Sequence, residues 1–168
     1  NYVNSQFISD ILAWYHLVWM GETIKLTDSR VKRLIGKGAG YTLHDRIEIV
    51  EVIADQLSGI ICRYKALARK GQVELSVTPY AHPIMPLLLD LNSTHEAMPN
   101  APLPELDAYP GGADRVNWHL EKGVQTFKRL FGFKPKGCWP SEGSVSEQTL
   151  KILGDFGFDW TASVGSVL

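Results

Sequence analysis

Two stretches of this chain place carboxylate, aromatic and polar side chains where they could do chemistry. One is Gly71-Gln72-Val73-Glu74-Leu75-Ser76-Val77-Thr78-Pro79-Tyr80-Ala81-His82-Pro83, and the other is Gly137-Cys138-Trp139-Pro140-Ser141-Glu142-Gly143-Ser144. Each reads as a strand that runs into polar and aromatic residues where it ends. In a parallel sheet the C-terminal strand ends share one face, and α/β proteins keep their sites on that face. Two such endings predict one cleft holding a carboxylate and aromatic rings, which is the equipment of sugar chemistry.

Glu142 follows a short strand ending in Trp139 and precedes a capped helix, where a helix N-terminus favours the anionic form of a carboxylate. An ionised carboxylate can attack an anomeric carbon; the plainer alternative is a helix-start glutamate that only satisfies the dipole. Glu74 lies in mid-strand. If Val73, Leu75 and Val77 face outward onto helices, Glu74 faces the interior of the sheet, where a charge is costly unless paired or used. Its alternative is a solvent-facing strand. Tyr80, His82 and Trp139 offer rings that stack on sugar faces and a hydrogen-bonding group, with ordinary packing as the alternative for each taken singly.

Other signals carry less. Gly36 to Gly40 lacks the phosphate-loop pattern and follows no strand. His16, His44, His95 and His119 show no paired metal-ligand spacing. Gly137-Cys138-Trp139 shares the Cys-Trp pair of papain-like proteases without the rest of that signature. Ser144 is in no nucleophile elbow. The cluster Arg30, Lys32, Arg33 and Lys37 reads as a solvated helix face.

The elements that must position these residues are legible in the periodicity. Asn4 caps a first helix stopped by Gly21; Asp28 or Ser29 caps a short basic helix; Thr42 with Asp45 forms a capping box. The long helix that follows turns Ile47, Val50, Ala54, Leu57, Ile61, Tyr64 and Leu67 inward and ends at Gly71. The period then changes to two over residues 73–78. Pro83 opens a short helix through Leu91, residues 92–112 look irregular, and Asp114–Phe131 is an amphipathic helix closed by Gly132. Lys136–Trp139 is a strand, Ser144 with Glu147 is a second capping box opening a helix to Gly157, and Phe158–Ala162 is a third strand. Strand, helix, strand, helix, strand implies right-handed crossovers and a parallel α/β sheet over residues 71–168, with residues 1–70 as a helical insertion or cap.

The chain has 168 residues, enough to bury a core, and 17 Lys+Arg against 18 Asp+Glu. Without a basic field, nucleic acid is not an expected partner; no apolar run approaches the length of a membrane span. Cys62 and Cys138 fit no metal or redox spacing, and a reducing, cytoplasmic setting is the default, with a single disulfide left open.

Gly71 to Pro83, continued by Ile84-Met85-Pro86-Leu87-Leu88, resembles the second signature region of glycoside hydrolase family 57. Gly137 to Glu142 resembles the third, which holds the catalytic glutamate. Tyr109-Pro110-Gly111-Gly112 and the helix with Trp118 and His119 are similar to α-amylase-like and amylopullulanase-like members, so the resemblance covers essentially the whole chain. It implies part of an incomplete (β/α)7 barrel and retaining cleavage or transfer of α-glucans. It also implies Glu142 as nucleophile, Glu74, His82 and Trp139 along the substrate, and no metal or organic cofactor. The family's His-Gln-Pro strand and its aspartate acid/base region have no counterpart here. The expectation is therefore an internal segment of a larger enzyme, partnered by an α-glucan substrate and by the remainder of its own barrel. Two alternatives stand beside it: a catalytically silent carbohydrate-binding or structural module, and a metal-dependent sugar deacetylase with His82 among its ligands.

Overall fold

The computed structural model describes residues 3–106 and 108–163. The chain divides into two compact units, Asn1–Arg63 and Tyr64–Leu168.

The first unit is helical. Helix α1 (Ser5–Trp19) starts where the Asn4 side chain accepts from the Phe7 amide at 2.8 Å. Helices α2 (Glu22–Thr27) and α3 (Ser29–Lys37) meet at Asp28, which closes one and caps the other by accepting from the Arg30 amide. Helix α4 (Leu43–Arg69) opens with the reciprocal box expected from Thr42 and Asp45. The Thr42 amide donates to the Asp45 carboxylate at 2.8 Å, and the Asp45 amide to the Thr42 hydroxyl at 3.2 Å. Ala13, Leu17, Val31, Leu34, Tyr41, Ile49 and Val52 form the core.

Two expectations fail in this unit. The face of α4 that turns inward carries Ile49 and Val52, while Ile47, Val50 and Leu57 are exposed. The helix is apolar on more than one side, so periodicity alone cannot choose between them. The basic residues of α3 are not simply solvated. Arg30 bridges Asp28 and Asp55, and Arg33 and Lys37 converge on Asp45, whose side chain is almost wholly buried.

In the second unit, α4 ends at Arg69, and after a turn at Gly71 the chain passes into an extended segment. Helices α5 (Met85–Leu89), α6 (Thr94–Ala97), α7 (Gly112–Phe131) and α8 (Glu147–Asp155) follow, with short 3-10 turns at Leu91–Ser93 and Ser141–Gly143. The stretch expected to be irregular thus contains one of those turns and α6. Strands β1 (Gly137–Cys138) and β2 (Trp160–Thr161) pair in parallel, Gly137 with Trp160 and Cys138 with Thr161. The expected strand over 73–78 contributes one parallel bridge, Val77 to Cys138, closed by Val77 N–H to Gly137 O at 3.0 Å and Trp139 N–H to Val77 O at 2.8 Å.

The structure is therefore mostly helical with a parallel α/β element, and the ladders are shorter than the sequence suggests. At one end a proline explains this: in the observed register, extending the Val77 pairing toward the C-terminal ends of the segments needs an amide from Pro79, which has none. Met85, Val116, Leu120, Cys138 and Leu153 form the core here. Helices α5 and α7 come so close that a Cβ on Gly112 would lie 1.6 Å from the Leu88 carbonyl oxygen. No helix among the described residues is long and apolar enough to cross a membrane.

Candidate active site

Glu142 sits in the turn that follows β1, beyond the C-terminal end of the parallel pairing. Its backbone is left-handed, at φ 54° and ψ 18°. L-residues other than Gly, Asn and Asp rarely adopt that conformation, which costs on the order of 1–2 kcal/mol. The turn is held by Gly143 N–H to Pro140 O at 2.9 Å, Ser144 N–H to Ser141 O at 3.0 Å and the Ser163 hydroxyl to Gly143 O at 2.8 Å. Helix α8 begins only at Glu147, capped by Ser146 through the Thr149 amide. The capping box expected at Ser144 and Glu147 is displaced because Ser144 is already committed to the turn. Glu142 is thereby set off from the helix N-terminus that the sequence places beside it.

The segment after the Val77 bridge is strained in the same way. Ala81 and His82 both have φ 57°. His119 on α7 clamps the approach to them: its carbonyl accepts from the Tyr80 amide at 3.0 Å, and its Nδ1 lies 2.6 Å from the Tyr80 carbonyl oxygen. Gly123, one turn further along α7, lets the backbone of Thr78–Tyr80 come close, since a Cβ there would lie 3.3 Å from the Tyr80 nitrogen. The two strained segments meet at their side chains, with His82 Nε2 3.9 Å from Glu142 Oε1. Both groups are open to solvent.

Aromatic rings accompany the pair. Trp139 is exposed, and its backbone amide donates to the Val77 carbonyl. Tyr80 is exposed and packs edge-on against Trp118 at 5.7 Å, and Trp118 packs in turn against His119 at 4.9 Å. Ser141, directly before Glu142, is buried, and its hydroxyl has no partner among the described residues.

Glu74 is elsewhere. It precedes the Val77 bridge by three residues, so it lies toward the N-terminal end of the pairing, opposite to Glu142. The expectation that it faces the interior is not met: Glu74 is exposed, and its carboxylate accepts from the Trp160 indole N–H at 2.6 Å. The Trp160 ring can lie across β1 because Gly137 has no side chain; a Cβ there would fall 2.1 Å from that ring.

Of the five residues singled out from sequence, the structure pairs His82 with Glu142, places Tyr80 and Trp139 on the same two segments, and sets Glu74 apart. The sequence reading missed His119 and Trp118 as supports. A signal existed: Val116, His119, Leu120 and Gly123 recur at helical spacing, which puts His119 beside the buried stripe of α7. Cys62 and Cys138 are both free thiols. The deacetylase alternative requires an Asp and two His around a metal, and no group of three such ligands converges among the described residues.

The strained turn that bears Glu142 thus lies at the C-terminal end of the parallel pairing, the end at which α/β proteins keep their sites. The chain belongs to glycosyl hydrolase family 57, whose sequence profile matches residues 5–165. It is similar to a solved family 57 branching enzyme from the hyperthermophilic archaeon Thermococcus kodakaraensis, crystallised with glucose. The identity is 22% and the TM-score 0.44, over 92% of this chain and 26% of that one. The chain thus spans about a quarter of the length of that solved chain. No curated protein sequence matches it.

Proposed function

We propose that this chain is part of a retaining glycoside hydrolase or transglycosidase acting on α-glucans, with Glu142 as the nucleophile. The single observation that carries the reading is the pairing of Glu142 with His82 on two strained turns at one end of the parallel segments. Backbone strain held in place by surrounding hydrogen bonds concentrates at functional sites. Family membership supports the reaction class.

In this mechanism the Glu142 carboxylate attacks the anomeric carbon and forms a covalent glycosyl ester as the glycosidic oxygen departs. That oxygen needs a proton, and a retaining site needs a second carboxyl roughly 5 Å from the first to supply it. Among the described residues Glu142 is paired with His82 rather than with a second carboxyl, and the reading assigns the acid to another part of the enzyme. Water or a second sugar then resolves the ester. Trp139 and Tyr80 offer rings to the apolar faces of the sugar, and His82 offers a hydrogen bond to its hydroxyls. Glu74, tied to Trp160, supports the sheet beneath rather than touching the reacting sugar. Residues 71–168 supply part of an incomplete (β/α)7 barrel and residues 1–70 a helical insertion. The two free thiols fit a reducing, cytoplasmic setting.

The test uses the whole enzyme and a fluorinated α-glucosyl fluoride, whose fluoride leaves without protonation. Peptide mapping is expected to find the glucosyl adduct on Glu142, and Glu142→Gln is expected to lower turnover by several orders of magnitude while retaining glucan binding. An adduct on another residue, or near wild-type turnover by the variant, refutes the assignment.

A further inference from the structure

Beyond the His82–Glu142 pair, the two segments that carry it run into the walls of one cavity of about 380 Å³. Ile84 comes two residues after His82, and Ser144 and Val145 come two and three after Glu142; the start of α5 and helix α6 complete the lining. We propose that this cavity is a subsite for a further glucosyl unit of the glucan chain, next to the sugar that Glu142 attacks. The inference rests on the glycosidase reading for its substrate but on its own geometry for its place.

The volume is at the lower end of the range for small-molecule sites, about 300–1,000 Å³, which suits one or two sugar rings. Ile84, Met98 and Val145 supply apolar surface for the C–H face of a pyranose ring. Thr94, Glu96 and Ser144 supply hydroxyl and carboxylate groups for its hydroxyls, and no hydrogen bond within the protein occupies these three side chains among the described residues. Ser93, by contrast, donates its hydroxyl to the Asp90 carbonyl at 2.7 Å and helps to fix the turn that carries α6. Charge narrows the ligand class. The single ionisable group in the lining is Glu96, so phosphorylated or carboxylated ligands meet repulsion with no cation to offset it. A purely apolar ligand would cover Thr94 and Ser144 without satisfying them, at a cost of roughly 1–3 kcal/mol per group. A neutral sugar meets both conditions.

Calorimetric binding of maltose and maltoheptaose to the whole enzyme tests the subsite whether or not turnover is observed. Ala97→Trp, which fills the cavity from α6, is expected to raise the ratio of the maltoheptaose to the maltose Kd about tenfold, the scale of one lost sugar contact. Thr94→Val keeps the shape and removes one hydroxyl, and is expected to raise the same ratio about threefold. A ratio unchanged in both variants, with thermal midpoints near that of the parent, overturns the subsite. Failure of the glycosidase reading shows differently: the unmodified enzyme binds maltoheptaose and never cleaves or transfers it.

Discussion

Replacing Glu142 by glycine should make the protein more stable while abolishing the chemistry proposed for it. The residue sits at φ 54°, ψ 18°, where an L-residue pays on the order of 1–2 kcal/mol and glycine nothing. Against this, glycine gains freedom in the unfolded chain, which costs about 0.4–1 kcal/mol. Little else is lost, because the side chain is 74% exposed and its one paired neighbour among the described residues is His82 at 3.9 Å. An exposed pair of this kind contributes roughly 0–1 kcal/mol. The balance is a net stabilisation of about 0.5 kcal/mol, set mainly by the backbone. Glu142→Ala and Glu142→Gln keep a Cβ and therefore keep the strain, so they provide the reference. Urea unfolding of the whole enzyme, with slopes unchanged across the series, is expected to place the glycine midpoint above both. A glycine variant at or below the alanine variant would show that the turn is not strained and would remove the main structural reason for singling out Glu142.

Two further outcomes follow from the titratable groups. Asp45 is held well below the usual carboxylate range, first by Lys37, then by the Thr42 amide and hydroxyl and by Arg33. Its contribution to stability is therefore complete above the unfolded value of about 4 and is lost as pH falls through the lowered folded value. Asp45→Asn is expected to cost about 1–3 kcal/mol at pH 7, and the gap from the parent should shrink steadily below about pH 4. A gap equal at pH 7 and pH 3 would refute the ion-pair account. Burial pushes the Cys138 thiol up to about 12, whereas Cys62 is exposed. Alkylation at pH 8, read by peptide mapping, should modify Cys62 promptly and Cys138 only after denaturation; equal rates would place Cys138 outside the core.

How much of this was readable beforehand depended on the range of the interaction involved. Asn4 before α1, Thr42 with Asp45 before α4 and Gly132 after α7 were legible because a cap is decided within four residues. The inward side of α4 was not, because Ile47 and Val50 are as apolar as Ile49 and Val52, and only the packing of α1 and α3 selects among them. The strand over 73–78 had the right alternation. Its pairing does not continue past Val77 because Pro79 has no amide to donate, an effect that needs the register with β1 to be known. Glu142 and His82 were found by residue type, but nothing local announces that Ala81, His82 and Glu142 are left-handed. Glycine advertises such positions; these residues do not.

That last difference further separates Glu142, the stronger of the two carboxylate candidates in the sequence, from Glu74. Glu74 lies in ordinary extended backbone, and its carboxylate has a partner in the Trp160 indole. Glu142 has a conformation its residue type disfavours and no close hydrogen bond for its side chain among the described residues. Three non-glycine residues in that state, on two turns that meet, cost the fold of the order of 1–2 kcal/mol each. The cost persists because the surroundings over-determine it. His119 and Gly123 fix Tyr80 from one side, the Ser141–Ser144 turn fixes Glu142 from the other, and Cys138 and Val116 lock β1 and α7 into one core. A carboxylate that only ended a helix would need none of this, since the helix beginning at Glu147 is already capped by Ser146. The strain falls instead on the acidic side chain that follows β1 and faces His82.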